Sequence, residues 1–107
     1  MNKTGWMSGN TERVYKFIEH LCTTCNAYDD KNNKLSCVPV MITKKDVADK
    51  LCLSEKTIER NINMLIRHHN IYRYSYNNNY IYNLEPLDMS NDILIRIRLF
   101  NVNNVSG

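Results

Sequence analysis

The amino-acid sequence predicts a mainly α-helical protein with a small β-sheet, an α+β class with three helices and one hairpin. Three observations carry that expectation. Apolar residues recur at helical spacing in three separate stretches. Two hydroxyl residues, Thr43 and Ser54, stand where helix caps are needed. Beyond Asn70 the apolar period shortens to two, on either side of Asn77-Asn78-Asn79. A chain of 107 residues holds one core, so a single domain is expected, its core spanning residues 11–84 and residues 85–107 forming a C-terminal extension. At 43% hydrophobic and 23% charged, the composition excludes a disordered chain.

The first helix is expected over residues 11–28, because Val14, Phe17, Ile18, Leu21, Cys22 and Cys25 form one apolar stripe, with Asn10 or Thr11 as its cap. Residues 29–34 lack any apolar side chain and read as a loop. Residues 35–42 are apolar with one proline, which fits a short strand ending near Ile42. Thr43 then caps a second helix, with Asp46 three residues on as its capping partner and Val47, Ala48 and Leu51 as its buried face. The pattern stops at Cys52-Leu53 and restarts at Ser54, a second cap, so a short turn separates two helices.

In the third helix Ile58, Ile62, Leu65 and Ile66 share one side. Lys56, Arg60, Asn63, Met64 and Arg67 fall on the other at a step of about 100°. Asn70 is expected to be the left-handed residue that ends this helix, with His69 packed inward and His68 facing out. Residues 71–76 and 80–84 read as the strands of a hairpin, whose tip turns without glycine because Asn tolerates positive φ. In the tail, Ile93, Ile95, Ile97 and Leu99 alternate with Arg96 and Arg98, the period of a strand.

The formal net charge is +3, and its distribution is uneven. Between residues 44 and 73 seven basic residues (Lys44, Lys45, Lys50, Lys56, Arg60, Arg67, Arg73) face four acidic ones (Asp46, Asp49, Glu55, Glu59), and the remainder of the chain sums to zero. Such a concentration is the footprint of a surface that meets phosphate. The first residues lack a secretory signal, and no stretch approaches the ~20 apolar residues of a membrane span. The expectation is a cytoplasmic protein without a membrane partner, its cysteines reduced thiols.

The order helix, short strand, helix, turn, helix, hairpin, with the run from Ile42 through Thr43-Lys44-Lys45-Asp46-Val47-Ala48 to Leu53-Ser54-Glu55-Lys56-Thr57-Ile58 and on to Leu65, resembles the winged helix-turn-helix family over residues 11–84. Ala48, Leu53 and Ile58 match the small and apolar positions by which the two helices pack in that family. Cys52 departs from the pattern, since that turn position is commonly glycine. The resemblance implies a three-helix core plus a β-hairpin wing, with the helix from about Glu55 in the major groove of double-stranded DNA and the wing on the backbone or minor groove. On that basis the DNA-binding residues are Thr43, Lys44, Lys45, Ser54, Lys56, Thr57, Arg60, Asn61, Met64, Arg67, Arg73, Tyr76, Asn77, Asn78 and Asn79. Lys56 and Arg60 suit guanine or phosphate, Asn61 adenine, and Lys44 and Lys45 phosphate at the start of a helix.

Other chemistries rank lower. Cys22-Thr23-Thr24-Cys25 has the spacing of half a zinc site, which Cys37 with Cys52 or His20 would complete, but both thiols lie on an apolar stripe, the place of buried structural cysteines. His68 and His69 are adjacent and point about 100° apart on a helix, so they do not chelate as a pair. No phosphate loop, carboxylate pair or nucleophile with its base is evident, and neither enzyme activity nor a cofactor is expected. The expected function is that of a homodimeric transcriptional regulator, most simply a repressor. A replication-origin or plasmid-partition DNA-binding protein and a winged helix used for protein contact are the alternatives.

Overall fold

The computed structural model describes residues 5–7, 9–24, 32, 36–76, 78–86 and 98–99. Among them are three helices, α1 (Gly9–Thr23), α2 (Lys44–Leu51) and α3 (Glu55–Arg67), and strands β1 (Val40–Met41), β2 (Tyr72–Tyr76), β3 (Asn79–Asn83) and β4 (Arg98–Leu99). The fold is therefore α+β. β2, β3 and β1 form a small antiparallel sheet in that order, and β4 lies beside β1 in parallel.

Each helix buries the face that its apolar spacing defines. Val14, Ile18, Leu21 and Cys22 of α1, Val47 and Ala48 of α2, and Ile58, Ile62 and Leu65 of α3 meet Val40, Ile42, Ile71 and Tyr82 in one cluster. α1 is two residues earlier at its start than expected. Gly9, with φ +53°, supplies an entry that a side chain resists. Thr11 is consequently inside the helix and buried rather than a cap. The helix stops at Thr23, short of the expected residue 28; residues 25–31, which include Cys25, lie outside the described residues.

The expected strand over residues 35–42 shrinks to Val40–Met41. Pro39 has no N–H for a ladder, and the Val38 N–H is already given to the Cys22 carbonyl at 2.8 Å, at the end of α1. The hairpin forms as its period predicts, Tyr72 opposite Asn83 through Tyr76 opposite Asn79, with Asn78 at φ 66° in the turn. Asn79 thus belongs to β3 and not to the turn. β4 falls within the strand expected in the tail; residues 87–97 and 100–107, with the rest of that expectation, lie outside the described residues.

Both caps are where the sequence puts them. Thr43 Oγ1 accepts from the Asp46 N–H at 3.0 Å and Ser54 Oγ from the Thr57 N–H at 3.1 Å. Cys52 holds the left-handed conformation (φ 58°) that ends α2, and the Leu53 N–H reaches back to the Ala48 carbonyl at 3.0 Å. The end of α3 repeats that motif with a correction to the expected residue. His69 (φ 58°), not Asn70, is left-handed, and the Asn70 N–H closes on the Leu65 carbonyl at 2.9 Å. His69 is therefore exposed instead of packed inward, while Asn70 is buried. No helix among the described residues is long and apolar enough to cross a membrane.

Candidate nucleic-acid interface

α3 is amphipathic, with Ile58, Ile62 and Leu65 fully buried on one side. On the other, Lys56, Arg60, Asn63 and Arg67 are exposed. At about 100° per residue these four fall within about 60° of arc and extend over roughly 16 Å of axis, one straight row. Among the described residues no hydrogen bond or ion pair engages Lys56, Arg60 or Arg67. Met64 is half-buried beside the row, and Thr57, also half-buried, shares a hydrogen bond with the Ser54 hydroxyl at 2.9 Å.

The lysines of α2 are placed differently. Lys44 Nζ lies 3.3 Å from Glu59 Oε2 on α3, and Lys45 Nζ lies 3.0 Å from Asp49 Oδ2, one turn along its own helix. That second contact holds the Lys45 ammonium pKa above its usual value. Both pairs are accessible to water, so neither is strong, and a phosphate can displace the Asp49 carboxylate from Lys45.

Asn61, expected on the sequence to read adenine, is corrected. It is 7% exposed. Its Oδ1 accepts from the Thr11 hydroxyl of α1 and its Nδ2 donates to the Thr57 carbonyl at 2.7 Å. Both ends of the amide are used inside the fold, so it offers nothing to a base.

On the hairpin, the Arg73 guanidinium lies 4.5 Å over the Tyr80 ring. Burial pushes the Tyr82 phenol pKa up, and Arg73, bonded to it, pulls the other way. Arg73 is therefore anchored near α3 and not at the hairpin tip. With Lys44, Glu59, Ile62, Tyr80 and Tyr82 it lines a shallow pocket of about 90 Å³ between α3 and the sheet. Asn78 and Asn79 are exposed at the tip, whereas Asn77 and the Tyr76 side chain lie outside the described residues. Thr43 and Ser54 are exposed, and both hydroxyls are occupied as caps.

Cys22 is buried, Cys37 half-buried and Cys52 exposed, all free. Burial, with Cys37 nearby, pushes the Cys22 thiol up to about 12, which disfavours the thiolate a metal needs. No cluster of three or more His, Cys, Asp or Glu side chains among the described residues is arranged to hold a metal ion. Sequence reasoning did not include Glu59 in the site. Its link to Lys44 spans fifteen positions and two helices, a distance at which no local spacing carries a signal.

No family model, curated protein or solved structure matches the chain.

Proposed function

We propose that this protein is a sequence-specific double-stranded DNA-binding protein of the winged helix-turn-helix type, with α3 in the major groove and the β2–β3 hairpin as a wing beside the backbone. Its role is that of a dimeric transcriptional regulator, most simply a repressor. One observation carries the reading: Lys56, Arg60 and Arg67 form an exposed cationic row without acidic partners among the described residues, whereas Lys44 and Lys45 on the neighbouring helix are paired. The carboxylate of α3 nearest the row, Glu59, is turned to Lys44. The row is left for an external anion, and a groove about 12 Å wide admits the one helix that carries it. The mixture of long donors with Asn63 suits base edges as well as phosphate.

A monomer offers few contacts, so a two-fold pair is proposed, reading two half-sites about one helical turn apart. The test is fluorescence titration of labelled random and library-selected duplexes at two salt concentrations, with sedimentation of the same samples. Binding that weakens steeply with salt and favours the selected duplex at least a thousandfold is expected. Salt-independent binding, or none to any duplex, would end the proposal.

A further inference from the structure

That reading gives Glu59 no contact with DNA, although it stands beside the cationic row. On α3 it is about 60° around the axis from Lys56 and one turn along. Its side chain is 56% exposed, and Lys44 in the first turn of α2, its side chain 39% exposed, holds Glu59 Oε2 through Nζ at 3.3 Å. Beyond it lies the pocket shared with Arg73, Tyr80 and Tyr82, in whose lining Glu59 is the one carboxylate among the described residues. Arg73 is engaged with Tyr80, on the hairpin side. The acid is therefore held at the margin of the row, between the face that would enter a groove and the hairpin.

A carboxylate on a surface that meets phosphate repels every DNA sequence equally unless a base uses it. In the major groove it can accept from the N4 amine of cytosine, whereas guanine presents only the acceptors O6 and N7 there and thymine the acceptor O4 beside a methyl group. Adenine couples its N6 donor to the acceptor N7, which the carboxylate also repels. An acid thus rejects three bases and takes one, so specificity comes through repulsion as much as attraction. Lys44 offsets the charge towards the backbone and fixes the side-chain direction.

The geometry points to Glu59 as a specificity-determining residue that accepts from the N4 amine of one cytosine, with Lys44 as its positioning residue. This rests on the DNA-binding reading above.

The experiment is selection from a randomised duplex library with the full-length wild-type chain, Glu59→Gln and Lys44→Gln, followed by titration of the wild-type consensus carrying each of the four base pairs at every position. In the wild type one C·G pair is expected whose replacement weakens binding by about tenfold or more. Glu59→Gln loses the preference at that position alone and binds random duplex more tightly. Lys44→Gln broadens the same position, and the double variant is no broader than Glu59→Gln. An unchanged consensus for Glu59→Gln, with affinity raised equally on all sequences, overturns the assignment while leaving DNA binding intact. A wild-type chain that binds no duplex removes the underlying reading and the assignment with it.

Discussion

Asn61 and Arg60 are neighbours on α3 with opposite assignments. Asn61 gives both ends of its amide to Thr11 and Thr57, tying α1 to α3. Asn61→Ala leaves the buried Thr11 hydroxyl without its acceptor, a loss of about 1–3 kcal/mol, and thermal melts should show it while the folded fraction keeps its affinity for DNA. Arg60 is exposed and without a partner among the described residues, so Arg60→Ala should move the melt by no more than about 0.5 kcal/mol. It should weaken a selected duplex by about 1–3 kcal/mol and relax one base position; unchanged affinity would remove Arg60 from the row. Cys22 gives the molecule an alkaline limit. Its thiol is raised from 9.0 to about 12 by burial first and by Cys37 second, so the native state holds that proton more tightly than the unfolded chain. The associated stability is complete below about pH 9 and declines as pH climbs towards 12, by up to ~1.4 kcal/mol per pH unit. Tyr82, raised by burial, adds to the decline above its ordinary 10.0. Urea midpoints measured from pH 8 to 10 should fall in the wild type, and Cys22→Ala, lower at the outset, should show a flatter slope.

At the level of elements, α2 and α3 end in the same way, on a left-handed residue that is not glycine: Cys52 at φ 58° and His69 at φ 58°. Every side chain resists that conformation, by roughly 1–2 kcal/mol. Cys52 is exposed and its thiol is free, so Cys52→Gly should stabilise the protein by about 0.5–1 kcal/mol once the extra freedom of glycine in the unfolded chain is deducted. Chemical denaturation compares the two directly, and a destabilised variant would mean that the turn depends on contacts of the Cys52 side chain. Thr43, Ser54 and the Cys52-Leu53 break were legible in the sequence because each is decided by residues within about four positions, and the hairpin because its two strands flank a short Asn turn. The expected left-handed residue at Asn70 was displaced by one because the closing bond runs from Asn70 itself, which the sequence pattern does not reveal. The expected cap at Asn10 or Thr11 failed because the helix already begins at Gly9 and turns Thr11 inward. Thr11 is held by Asn61, fifty positions away, and helical periodicity records burial without naming the partner. The same blindness put Asn61 among the base readers and passed over Glu59, since the exposed and engaged faces of α3 differ by what α1 and α2 bring to them.

The whole molecule depends on a tie that composition hid. Residues 5–7, which carry no periodicity, fold across the far end of α3. The Trp6 ring stacks on His68 with centroids 3.8 Å apart and planes 18° from parallel. Its Nε1 donates to Asn70 Oδ1 at 3.2 Å, and Met7 is buried in the main cluster. The C-terminal turn of α3 is thereby held from the N-terminal side of the chain, while Ser54 and Thr57 hold its start. Because the cationic row is straight only while α3 is intact to Arg67, this tie connects the N-terminus to the candidate interface. Trp6→Ala removes the stack, the hydrogen bond and the buried ring surface together, and should cost about 2–4 kcal/mol. His68→Ala removes the stack alone, for roughly 0.5–1.5 kcal/mol. Trp6 is the single tryptophan of the chain, so its emission reports on its own environment. His68→Ala should shift that emission to longer wavelength in the folded protein, and hydrogen exchange should speed up at Leu65 to Asn70 before the centre of α3. Unaltered emission and exchange in His68→Ala would show that the stack contributes nothing to holding the helix end, leaving Met7 and the Asn70 bond to do so.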